Sequence, residues 1–134
     1  MDAGCSPEDE CIQRACRFLI AKQQEDGGWG ETFMSCVERK YVQHPTSQVV
    51  NTAWAVLTLL KARYADRAAI RRGVDVLLRR RLPDGNWAQE SISGVFNKNC
   101  MINYSNFKNI FPIWALGRYR ETYPDDDALP ADLR

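Results

Sequence analysis

Residues 14–29 read Arg14-Ala15-Cys16-Arg17-Phe18-Leu19-Ile20-Ala21-Lys22-Gln23-Gln24-Glu25-Asp26-Gly27-Gly28-Trp29, and residues 72–87 read Arg72-Gly73-Val74-Asp75-Val76-Leu77-Leu78-Arg79-Arg80-Arg81-Leu82-Pro83-Asp84-Gly85-Asn86-Trp87. Under a shift of 58 positions Gly27-x-Trp29 falls on Gly85-x-Trp87, Arg14-Ala15 on Arg72-Gly73, and Phe18-Leu19 on Val76-Leu77. Glycine lets the chain reverse after a helix because no Cβ obstructs positive φ, and the indole is a large apolar plate that can cover the turn. A spacing shared by helix, turn and tryptophan marks one supersecondary unit used twice. Such a unit cannot bury its apolar face alone, so stacked or ring-closed helix pairs are expected. Two copies are too few to close a ring.

The flanking sequence supplies the helices. Over about residues 8–24 apolar positions recur at three- and four-residue intervals, with Ser6 and Asp9 as an N-cap signal, Pro7 at the first helical position and Asp26-Gly27-Gly28 as the stop. A second helix, about 47–63, is apolar on most sides and belongs inside a layered structure. A third, about 67–81, sets Ala69, Ile70, Val74, Leu77 and Leu78 against arginines on the opposite face and ends at Pro83-Asp84-Gly85. A fourth, about 107–121, contains Pro112, placed to start a turn or to kink it. Residues 88–105 lack helical periodicity and read as non-helical or β-like. The expected fold is therefore all-α.

Composition narrows the function. A chain of 134 residues with 45% hydrophobic residues can form a core, and a formal charge of +1 carries no electrostatic footprint for nucleic acid. Arg79-Arg80-Arg81 reads as the solvated end of a helix. Five cysteines without a CxxC pair suggest neither a disulfide framework nor a zinc ribbon. The longest nearly continuous apolar stretch, Ala53 to Leu60, is far short of the roughly 20 residues of a membrane span. His44 sits in a polar stretch and reads as an exposed loop histidine with no metal-ligand cluster; Asp84 and Glu90 read as turn and surface residues, and Asp125-Asp126-Asp127 as a solvated tail.

The stretch Gly94-Val95-Phe96-Asn97-Lys98-Asn99-Cys100-Met101-Ile102-Asn103-Tyr104, followed by Asn109-Ile110-Phe111-Pro112-Ile113-Trp114-Ala115-Leu116-Gly117-Arg118-Tyr119, is more specific than either turn. It resembles, nearly residue for residue, the C-terminal signature of oxidosqualene cyclases such as lanosterol and cycloartenol synthases. The first repeat likewise resembles that family's QW motif, through Gln23, Gly27 and Trp29; the second keeps Gly85 and Trp87 but has Arg81 in place of the glutamine. Arg81 is expected either to hold its turn less well or to stack its guanidinium on Trp87. The resemblance extends over roughly residues 11–124, taking in Asp26-Gly27-Gly28-Trp29-Gly30-Glu31, Ser47-Gln48 and Asn51-Thr52-x-Trp54-Ala55. It implies part of an α/α toroid, with residues 1–7 as an N-terminal tail, 8–122 as the C-terminal part of the helical barrel and 123–134 as a C-terminal tail.

The resemblance also implies a reaction. An acid protonates the epoxide of 2,3-oxidosqualene, double bonds close ring after ring, and a final deprotonation leaves a cyclic triterpenol, with no cofactor or metal consumed. By position in the signature, Phe96 and Tyr104 correspond to aromatics that line the family's cavity and steady carbocations through their π faces. Val95 and Ile102 are expected to shape that pocket, and Asn97, Lys98 and Cys100 to pack and hydrogen-bond. Gln23, Gly27, Trp29, Gly85 and Trp87 are structural. No catalytic residue is assigned, because the family's acid string Asp-Cys-Thr-Ala-Glu does not occur in the chain, and the isolated polypeptide is expected to be an inactive fragment. Its expected partners are the remaining helices of the toroid and a peripheral endoplasmic reticulum membrane or lipid-droplet surface. The competing expectation is a noncatalytic helical module that packs on a partner or binds an apolar lipid.

Overall fold

The computed structural model describes residues 4–96, 100–127 and 129–130. Its elements are α1 (Glu10–Ala21), α2 (Met34–Glu38), α3 (Val49–Lys61), α4 (Arg67–Arg79), the strands β1 (Gly94–Phe96) and β2 (Cys100–Ile102), and α5 (Phe107–Thr122). The fold is mostly helical with one two-stranded antiparallel sheet, as the periodicity predicts.

Helix α3 is the centre. It packs against α4, α5 and α1, and Val49, Val50, Ala53, Ala55, Val56, Leu59 and Leu60 are all buried. At its C-terminus Arg63 takes a left-handed conformation, φ 49°, and the amide of Tyr64 reaches the Leu59 carbonyl, closing the last turn without a glycine. Helix α4 starts on Asp66, whose Oδ1 accepts the Ala69 amide at 2.9 Å, and sends Ala69, Ile70, Val74 and Leu77 into the same core.

Several boundaries differ from the sequence reading, each for a local reason. Ser6 and Pro7 form a turn ahead of α1 rather than its cap: Ser6 donates its amide to Asp9 Oδ2 and accepts the Asp9 amide, so Asp9 is the residue before the first helical turn. Pro112 neither starts nor ends a helix. It is buried inside α5, near the N-terminus, where it forfeits only the amide that would reach the Lys108 carbonyl. The short helix α2 has no periodic signal and is held by its loop, through Val42 N donating to Ser35 Oγ at 2.8 Å and Tyr41 Oη donating to the Gly30 carbonyl at 3.1 Å.

The acidic run is not a solvated tail. Asp126 has a side chain only 7% exposed and accepts from Tyr119 Oη at 2.6 Å, Arg67 Nη2 at 2.7 Å and Arg71 Nη1 at 2.5 Å. Arg67 also lies over the Tyr123 ring, 4.5 Å from its centroid, and Leu129 is buried in the core. Three consecutive aspartates look alike in sequence, and the middle one meets Arg67 and Arg71 on the outer face of α4.

The 58-residue repeat is a repeat of hydrogen bonds. Trp29 Nε1 donates to the Leu19 carbonyl at 2.7 Å and Trp87 Nε1 to the Leu77 carbonyl at 2.9 Å. The amide of Gly27 reaches the Gln24 carbonyl, as that of Gly85 reaches Leu82; Gln24 N reaches Gly28 O, as Leu82 N reaches Asn86 O. Asp26 Oδ1 accepts the Gly28 amide and Asp84 Oδ1 the Asn86 amide, both at 3.0 Å. Gly27 and Gly85 have φ 95° and 84°, where glycine alone is unstrained. Both indoles are buried, at 3% and 2% exposure.

Candidate functional site

The strands pair Gly94 with Ile102, Val95 with Met101 and Phe96 with Cys100. Side chains alternate across a strand, so Gly94, Phe96, Cys100 and Ile102 belong to one face and Val95 and Met101 to the other. A Cβ on Gly94 would stand 3.3 Å from the Tyr104 ring, which therefore lies over the face that carries Phe96 and Ile102. The absence of a side chain at position 94 lets that ring close over the hairpin. Of the sequence-derived candidates, Phe96, Ile102 and Tyr104 thus share one side, while Val95 turns to the other and lines a pocket of about 230 Å³ with Phe33, Trp54 and Ile92. Asn97, Lys98 and Asn99 lie outside the described residues.

Tyr104 is the end of an aromatic array that the sequence reading missed. Its ring stacks on Phe107 with centroids 4.6 Å apart and 21° between planes. Phe107 meets Phe111 edge-on at 5.1 Å, and Trp54 of α3 meets both, at 5.9 and 5.3 Å; Phe111 continues to Trp114 at 6.3 Å. The signal was present in the spacing, since Phe107, Phe111 and Trp114 are four and three residues apart and so lie on one helical face. Trp54, Leu57, Thr58, Lys61, Phe111, Trp114 and Arg118 line an open pocket of about 590 Å³ on this side. Among the described residues Phe96 is not part of the array; it is 57% exposed, and Tyr104 is 45% exposed.

This face is suited to hold an apolar molecule or a cation. Edge-to-face and offset ring pairs fix the orientation of each quadrupole, and a cation over such a face gains about 2 kcal/mol or more once water is excluded. Beside the rings the lining carries the Thr58 hydroxyl, the Lys61 amine and the Arg118 guanidinium. Among the described residues no group of three His, Cys, Asp or Glu side chains stands close enough to hold a metal ion.

Beside the hairpin lies a polar hub. Arg80 donates through Nη1 to the Ser47 carbonyl at 2.7 Å and to Glu90 Oε1 at 3.1 Å, and through Nη2 to Ser47 Oγ at 2.9 Å and Asp26 Oδ2 at 3.2 Å. Burial works against the Asp26 carboxylate, but hydrogen bonds from Ser47 Oγ and the Gly28 amide and the nearby guanidinium groups hold its pKa below the usual carboxylate range. Glu90 is no free surface residue: its Oε2 accepts the Val49 amide at 2.5 Å, where the N-terminus of α3 favours a negative charge. His44 is no exposed loop residue either. It is half-buried, with Nε2 2.9 Å from Ser91 Oγ and Nδ1 3.1 Å from the Thr46 amide.

The profile of the squalene-hopene cyclase C-terminal domain matches residues 1–121. A human lanosterol synthase is 54% identical over 114 residues, which is 85% of this chain and 16% of that protein. A lanosterol synthase of Saccharomyces cerevisiae is 45% identical over 112 residues, 84% of this chain and 15% of its own length. A cycloartenol synthase of Dictyostelium discoideum is 61% identical over 94 residues, 70% of this chain and 13% of its own length. The chain thus spans about one sixth of the length of the curated relatives it matches.

Proposed function

The chain belongs to the family of squalene-hopene cyclase C-terminal domains, and from that premise we propose that it serves as the C-terminal part of an oxidosqualene cyclase, an isomerase that converts 2,3-oxidosqualene to a cyclic triterpenol. In this reading residues 8–122 supply a sector of the α/α toroid and one wall of its reaction cavity. The carrying observation is the stacking of Tyr104 on Phe107 at the open end of the five-ring array, on the hairpin face that bears Phe96. Tyr104 and Phe96 present π faces to positive charge on the folding polyene, Ile102 shapes the same face, and Val95 packs behind it. Tyr104 adds a hydroxyl dipole at the rim.

The protonating acid is not in this wall, because the family's acid string is absent from these residues. By itself the chain is inactive in this proposal, since an open cavity admits water that quenches cations. The remaining helices of the toroid cover the exposed Ile110 and Ile113 of α5, which lie three residues apart on the side away from the core. That stripe is also what a noncatalytic packing module would show. No described helix is long and apolar enough to cross a membrane, and we place the complete enzyme peripherally on an endoplasmic reticulum membrane or lipid droplet, where the apolar substrate dissolves.

The test is a chimera in which this chain replaces the matching segment of a lanosterol synthase that retains its acid. Incubation with 2,3-oxidosqualene is expected to yield a cyclic triterpenol, with Phe96→Ala lowering turnover or releasing truncated products more than Phe96→Tyr. A folded chimera that makes no cyclic product overturns the cyclase reading; equal behaviour of the two Phe96 variants removes that ring from the wall.

A further inference from the structure

The segment that carries Phe96 and Tyr104 has little core of its own. Val95, Phe96, Cys100, Met101 and Tyr104 are exposed, so apart from the Tyr104–Phe107 stack little apolar burial fixes where the hairpin stands. Polar ties hold its two feet. At the entering foot the Ser91 amide donates to Gln48 Oε1 at 3.0 Å and Ser91 Oγ meets His44 Nε2 at 2.9 Å, while Glu90, one residue earlier, joins the Val49 amide and Arg80. At the leaving foot Gln89 Nε2 donates to Asn103 Oδ1 at 2.7 Å, and Lys108 Nζ donates to Asn86 Oδ1 and the Trp87 carbonyl at 2.6 and 2.7 Å.

Gln48 is the informative member. It precedes the first residue of α3, where a polar side chain ordinarily caps its own helix, yet it makes no cap bond to that helix. It is 95% buried, and its amide oxygen is turned outward to Ser91. Its amide nitrogen is held by the Thr46 carbonyl and the Ser47 carbonyl, each at 3.2 Å, so the side chain is fixed at both ends. The neighbouring Ser47 and Arg80 connect this point to Asp26 in the turn of the first repeat.

We propose that Gln48, with His44 and Glu90, is a positioning residue for the reaction: it acts through Ser91 to set where the aromatic hairpin stands against the reaction cavity. Its effect on product choice rests on the cyclase reading, whereas its effect on hairpin placement does not. The N-terminus of α3 and the turn of the first repeat thereby form the rigid base from which Phe96 and Tyr104 are aimed. The bond suits this task because Gln48 is buried, and leaving its amide oxygen unpaired costs more than the bond itself contributes.

Two measurements test the proposal. Backbone amide exchange in the chain should quicken by about tenfold at residues 92–96 and 100–104 in Gln48→Leu, with the α3 core unchanged, the effect expected when one part-buried hydrogen bond is lost. Ser91→Ala, which removes only the hydroxyl contact to His44, should give a smaller change, and Arg17→Ala on α1 none. In the chimera, Gln48→Leu should alter the ratio of cyclised to truncated products, while a purely structural defect would lower total yield at a fixed ratio. Unchanged hairpin exchange, or a fixed product ratio with yield alone reduced, overturns the proposal. Should Gln48→Leu fail to fold, Glu90→Gln keeps the side-chain shape and is read against the same two outcomes. An unmutated chimera that makes no cyclic product defeats the cyclase reading, and the exchange result alone then decides the placement.

Discussion

The two turns of the repeat share a backbone and differ in what holds them from outside. In the first, Gln23 Nε2 donates to the Gly27 carbonyl within the turn and to the Ala69 carbonyl of α4, both at 2.8 Å, while its Oε1 accepts from Arg72 Nη2 at 2.5 Å. The second keeps the same internal bonds with Arg81 in that position, paired to Trp87 through its backbone, and its guanidinium lies over Gly85, 3.4 Å from where a Cβ would stand. The glutamine of the first repeat thus has a role outside its own turn. Glycine and indole make the turn; the glutamine fastens one finished repeat to the next helix.

The strongest test of that division is truncation of the indoles. Trp29→Ala and Trp87→Ala should each destabilise the chain by about 3–5 kcal/mol in urea unfolding, since each removes a buried ring and its hydrogen bond to a carbonyl ten residues upstream. A large inequality between them would show that the two turns are not equivalent units.

The next effect comes from Gly73, which aligns with the exposed Ala15 but lies under Trp29. A Cβ there would stand 2.8 Å from Trp29 Cζ3 and from Val56 Cγ2. Gly73→Ala should cost about 1–3 kcal/mol through overpacking, whereas the reverse change at the matching site, Ala15→Gly, should cost only the helix-propensity difference of about 0.5–1 kcal/mol. Equal effects would mean that the first tryptophan does not rest on α4. A third test concerns the fastening itself: Gln23→Leu should lose about 1–3 kcal/mol by leaving part-buried polar groups unpaired.

The smallest effect is expected at the far side of α4, where Asp126 takes the place that Gln23 has on the near side. Burial, then the hydrogen bond to Asp126, pushes the Tyr119 pKa up to about 12 from an ordinary value near 10. Because the folded value is the higher one, this contribution is complete below pH 10 and is lost as pH rises toward 12. Unfolding measured over that window should show a decline that Tyr119→Phe abolishes. A decline of the same size in Tyr119→Phe would detach the tail from this bond.

Much of this architecture was legible in the residues. The 58-residue shift identified both turns, and the three- and four-residue apolar spacing placed α1, α3, α4 and α5 to within about three residues, because helix periodicity and glycine conformation are local properties. The non-helical reading of 88–105 anticipated the hairpin. Helix α2 escaped because loop bonds, not its own pattern, support it. At the site, Phe96 and Tyr104 were named from the signature, but the rings that Tyr104 joins were not, since Trp54 comes from a helix distant in sequence.

Sequence by itself determined that the chain repeats a helix–turn unit, where each turn reverses and which segment carries the aromatic signature, all of them properties of neighbouring residues. Only the tertiary structure decided that Tyr104 closes over Gly94, that Val95 faces away from Phe96, that one aspartate of three is buried and that Gln48, His44 and Glu90 grip the foot of the hairpin. Each of these depends on which side chains from distant segments meet within hydrogen-bond or van der Waals range, and identical residue types acquire different roles according to what the fold sets opposite them.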